Sequence, residues 1–77
     1  MKKHLLEENP HFEYYRTISK ENIDFEVYDN LYEECFYLAW INPKTKKVEE
    51  WGCETFNNNF HMVIDDILET YKERSII

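Results

Sequence analysis

Residues 12 to 28 read Phe-Glu-Tyr-Tyr-Arg-Thr-Ile-Ser-Lys-Glu-Asn-Ile-Asp-Phe-Glu-Val-Tyr, and their period of two decides the fold. Phe12, Tyr14, Arg16 and Ile18 alternate, as do Ile23, Phe25 and Val27, on either side of the turn-prone Ser19-Lys20-Glu21-Asn22. This is the pattern of a β-hairpin. With those four residues as the loop, Ile18 faces Ile23, Arg16 faces Phe25 and Tyr14 faces Val27, so the apolar sets share one face. The opposite face then collects Glu13, Tyr15, Thr17, Asp24, Glu26 and Tyr28.

Beyond Asp29-Asn30, the stretch Tyr32 to Ile41 is apolar on both alternations, with Phe36, Leu38 and Trp40 on one side and Cys35, Tyr37, Ala39 and Ile41 on the other. It reads as a central strand covered on both faces, or as a strand with one apolar face left open. Asn42-Pro43-Lys44-Thr45-Lys46 is a turn, and Val48 to Phe56 is the returning strand, with Gly52 marking a bulge. A five-residue loop sets Trp40 opposite Val48 and Cys35 opposite Cys53. A four- or six-residue loop brings Leu38 to Glu49 or Trp51 and separates the cysteines. Phe60, Val63, Ile64, Ile67, Leu68 and Tyr71 recur at helical spacing, with Asn57, Asn58 and Asn59 as caps and Lys72 and Arg74 at the negative end of the dipole. Residues 3 to 8 have room for a short N-terminal helix ending before Pro10. The expected fold is α+β: a three- or four-stranded antiparallel β-meander with the C-terminal amphipathic helix packed on one face.

At 77 residues the chain is one small domain, 1–77, with thirteen aromatic side chains to build its core. The net charge is −7, and it is concentrated. Residues 21 to 43 hold six acids and no Lys or Arg, and residues 48 to 71 hold six more, again without a base. Such a field attracts basic surfaces and repels nucleic acid and anionic membranes. The longest apolar run is far short of the roughly 20 residues a membrane span needs, and the start of the chain does not lead into an apolar signal segment, which points to the cytoplasm.

Sites for chemistry are sparse. Cys35, Cys53, His4, His11 and His61 match no metal-ligand spacing, and the neighbours of both cysteines are acidic, which disfavours a thiolate nucleophile. Adjacent carboxylates on a strand (Glu33-Glu34, Glu49-Glu50) point to opposite faces, and Asp65-Asp66 on a helix diverge by about 100°. No enzyme, cofactor or metal is therefore expected. The lysines of residues 44 to 47 sit on a hairpin tip and read as a solvated turn, so no direct nucleic-acid binding is expected either.

What remains is the acidic surface itself. Two adjacent strands carrying acids at alternate positions would present about one charge per 3.3 Å, roughly half the linear density of duplex DNA at one per 1.7 Å. In size and charge the chain resembles the small acidic proteins with which phages and mobile elements block host nucleic-acid enzymes, including restriction and CRISPR systems. The likeness covers no motif and transfers no residue. The expectation is a non-enzymatic binding protein that inhibits or regulates a basic nucleic-acid-handling protein by occupying its phosphate-binding surface. Its contacts would be Glu13, Asp24, Glu26, Asp29, Glu33 and Glu34, with Tyr15, Tyr28 and Tyr32 as exposed anchors. Two alternatives stand beside it. One is an oligomerising subunit, monomer giving way to homodimer through a patch of Tyr37, Ala39 and Ile41 on an uncovered sheet face. The other is a small-molecule sponge with its pocket between sheet and helix.

Overall fold

In the computed structural model, which describes residues 4–32, 35–52 and 60–77, four strands form one antiparallel sheet in the order β1-β2-β3-β4. They are β1 (Phe12–Lys20), β2 (Ile23–Asn30), β3 (Phe36–Ile41) and β4 (Val48–Gly52). A helix, α1 (Phe60–Glu73), follows and packs on one face. The α+β meander with its C-terminal helix is the architecture that the alternations and the helical spacing predict.

The first hairpin closes more tightly than its sequence suggests. Glu21 (φ 53°) and Asn22 (φ 64°) alone make the turn, with positive φ at both central residues as a type I′ connection requires. Ile18 therefore pairs with Phe25, and Lys20 with Ile23, a shift of two residues from the expected register that keeps every side chain on its face. A second correction has larger consequences. Between Tyr14, which pairs with Tyr28, and Arg16, which pairs with Val27, the ladder slips by one residue at Tyr15. One extra residue exchanges the two faces of a strand. Ile18 and Arg16 thus lie on the helix side, while Tyr14 and Phe12 lie on the other.

The helix side holds the main core: Ile18, Ile23, Phe25, Val27, Leu38 and Trp40 from the sheet against Phe60, Ile64, Leu68 and Tyr71 from α1. α1 ends in a Schellman motif. The Ser75 amide donates to the Lys72 carbonyl and the Ile76 amide to that of Tyr71, with Ser75 at φ 57° and Ile76 packed against the core. The expected caps Asn57 to Asn59 lie outside the described residues.

The opposite face is not open. Residues 4–10 run across it as successive turns rather than a regular helix, and Leu6 packs with Tyr28 and Ala39 beneath, flanked by Leu5, Phe12 and Tyr37. β3 is accordingly covered on both sides, the first of the two readings its double apolar pattern allows, except at Ile41, which is 46% exposed. The expected self-association patch is thereby broken up, because Ala39 is fully buried under this strap. The β3–β4 register is the one that sets Leu38 against Trp51. Gly52 pairs regularly with Tyr37 instead of marking a bulge, and its role is close approach: a Cβ there would stand 2.8 Å from the Tyr37 ring. Cys35 is half-buried; Cys53 lies outside the described residues, as do Glu33 and Glu34.

Candidate binding surface

The slip at Tyr15 divides the acidic face expected from the sequence into two places. On the strap side stand Asp24, Glu26 and Tyr28; on the helix side stand Glu13, Asp29 and Tyr15. The continuous row of charges along one face, with its estimated half-DNA density, does not form.

Glu26 and Tyr28 are consumed by the fold. The Leu5 amide donates to Glu26 Oε1 at 2.7 Å, the Leu6 amide donates to the Tyr28 hydroxyl at 3.1 Å, and that hydroxyl donates to Glu26. His4 Nδ1 stands 3.4 Å from Glu26 Oε2 while its ring stacks on Tyr14 with centroids 3.7 Å apart. Tyr28 is 1% exposed, so it is not the exposed anchor its position in the alternation suggests. Burial first, and then the neighbouring Glu26 carboxylate, push its hydroxyl well above the ordinary tyrosine range.

A second carboxylate is structural in the same way, and no residue pattern signals it. Trp40 Nε1 donates to the Tyr71 hydroxyl at 2.8 Å, Tyr71 donates to Glu49, and Asn42 Nδ2 donates to Glu49 at 3.1 Å. Asn42, 3% exposed, also accepts the amides of Lys44 (2.8 Å) and Thr45 (3.2 Å), which fixes the lysine-bearing loop. Only the register pairing Trp40 with Glu49 brings these four residues together.

The helix acids behave as a solvated surface. Asp65 takes Lys20 at 3.0 Å and Glu21 takes Lys72 at 3.4 Å, while Asp66 and Glu69 are exposed.

Glu13 and Asp29 differ from all of these. They are direct cross-strand partners, both exposed, and neither is in an ion pair or side-chain hydrogen bond among the described residues. Beside them Tyr15, 57% exposed, meets Phe36 edge-on at 5.7 Å. The ladder continues as the Leu31 amide donates to the His11 carbonyl at 2.9 Å, and Tyr32, 72% exposed, packs its ring 4.3 Å from that of His11. Glu13, Tyr15, Asp29, Leu31 and Tyr32 thus gather at one end of the sheet, whereas Asp24 lies toward the other end of β2 on the opposite face. Among the described residues no helix is long and apolar enough to cross a membrane. Comparison with known proteins returned no matching family model, no matching curated protein and no matching solved structure.

Proposed function

We propose that this chain is a non-enzymatic binding module that inhibits or regulates a basic, nucleic-acid-handling protein, and that its acids stand in for phosphates on that protein's cationic surface. One observation carries the reading: Glu13 and Asp29 face each other on adjacent strands, and neither is held in an ion pair among the described residues. Like charges directly opposite on a sheet are destabilising, so the pair works against the fold and gains only when a cation sits between the two carboxylates. Exposed Tyr15 and Tyr32 supply apolar area beside it, as interface anchors do.

The test is capture of partners from the native host by the tagged protein, at low and at high salt, with the wild type and with Glu13→Lys/Asp29→Lys. The expected result is a basic nucleic-acid-binding protein that is lost at high salt, lost with the double variant, and displaced by nucleic acid. Capture indifferent to both salt and charge reversal would overturn charge mimicry. Glu26 is left untouched, because its replacement would release the strap.

A further inference from the structure

Next to Leu5, the strap side of the sheet is open among the described residues. The result is a groove of about 340 Å³ lined by Leu5, Asp24, Ile41, Pro43 and Lys46. Its apolar wall is accessible surface, since Ile41 is 46% exposed. Its two carboxylates are not equivalent. Glu26 is already engaged by the Leu5 amide and the Tyr28 hydroxyl, with His4 beside it. Asp24 accepts the Ser19 hydroxyl at 2.5 Å through Oδ1 and has no other partner among the described residues, so Oδ2 retains its acceptor capacity. The larger crevice on the helix side, about 420 Å³, contrasts with this: both of its lysines are already taken, as Lys20–Asp65 and Lys72–Glu21, and Glu69 is the remaining charge in its lining.

We propose that this groove is an anchor site for one arginine side chain of the basic partner, an inference that rests on the function proposed above. A long aliphatic stem fits the apolar wall of Leu5, Ile41 and Pro43, and the cationic head reaches Asp24. Guanidinium suits the place better than ammonium, because it is more weakly hydrated and sheds less water on meeting an apolar wall. Lys46 also lines the groove and opposes any cation there. Exposed and held in no ion pair among the described residues, it sets a sign test that an apolar-only groove would not pass.

The experiment is an amide chemical-shift titration of the whole chain with N-acetyl-arginine methylamide, and with its neutral isostere N-acetyl-citrulline methylamide. Saturable shifts at Leu5, Asp24, Ile41 and Lys46 are expected for the arginine probe and not for the citrulline probe. Asp24→Asn should weaken binding about two- to fivefold, the range an exposed ion pair allows. Ile41→Ser should weaken it without any change in charge, and Lys46→Ala should strengthen it. All three sites are exposed, so unchanged spectra elsewhere verify the fold. Shifts that rise linearly and spread over every acid, or that centre on Glu13 and Asp29, would overturn the groove assignment. So would binding unaffected by Ile41→Ser. If the titration fails while host capture remains sensitive to salt and to Glu13→Lys/Asp29→Lys, the groove alone is wrong; if both fail, the basic partner falls as well.

Discussion

The two faces of the sheet are closed by different physics. On the helix side, ten buried side chains interlock among the described residues, and hydrophobic burial supplies the driving force. On the strap side the buried cluster among the described residues is Leu6, Tyr28 and Ala39, and a seven-residue segment of turns cannot cover much more. There the sheet recruits polar groups instead, with a carboxylate and a phenol receiving successive backbone amides. The difference shows how a strongly acidic chain spends part of its acid content on structure: Glu26 and Glu49 serve as internal acceptors, while Glu13, Asp24 and Asp29 stay at the surface.

If that contrast is correct, the largest effect belongs to the helix side. Ile64 is fully buried, and Ile64→Ala should cost about 2 to 5 kcal/mol, seen as a lower urea midpoint. For a domain of this size that is a large share of the total stability. Leu6→Ala should cost distinctly less, because the strap has more freedom to settle into the space. Equal costs would erase the distinction between the faces.

Glu26→Ala probes the strap side directly. It leaves the Leu5 amide without its acceptor and removes a partner of the Tyr28 hydroxyl, at a cost of about 1 to 3 kcal/mol. The loss should be local. Hydrogen exchange at Leu5 and Leu6 should accelerate well before the amides of α1 and β2 respond. Uniform acceleration across the sheet would mean that the strap is integral to a single cooperative unit.

Tyr28 makes the same side sensitive to alkali. Its hydroxyl titrates higher in the folded chain than the ordinary value of about 10, so the unfolded chain releases the proton first. The stabilisation is fully present below about pH 10 and is lost as pH rises through the folded-state value. Unfolding free energy should therefore fall more steeply above about pH 10 in the wild type than in Tyr28→Phe. Parallel curves would show that the Glu26–Tyr28 pair has no such role.

Much of this architecture was legible. Alternation at Ile23, Phe25 and Val27, the double apolar pattern of Phe36 to Ile41, and the helical spacing of Phe60 to Tyr71 each report burial on a defined face. What stayed hidden has local causes. The slip at Tyr15 leaves no mark, since Tyr14 and Tyr15 are the same residue type and either satisfies the alternation. Glu21-Asn22 and Ser75 adopt positive φ without the glycine that usually signals it. A strap with neither strand nor helix period announces itself by no pattern at all. For the site, the acids could be counted, but their division into Glu26, locked by the strap, and Asp29, left open, depends on that one-residue slip.

The smallest effect is also the one that ties stability to function. Replacing Asp29 by Lys turns the repulsion with Glu13 into a cross-strand ion pair on an exposed surface, which should stabilise the fold by about 0.2 to 1 kcal/mol. The measurement is the urea midpoint at low and at high salt, and the gain should shrink as salt screens it. A variant that is more stable yet no longer captures a basic partner would mean that the wild-type pair gives up stability to keep its charge available. If Asp29→Lys proves destabilising instead, the two carboxylates are not opposed as their register implies. The like-charge pair would then lose its standing as the feature that separates a binding surface from ordinary acidic solvation.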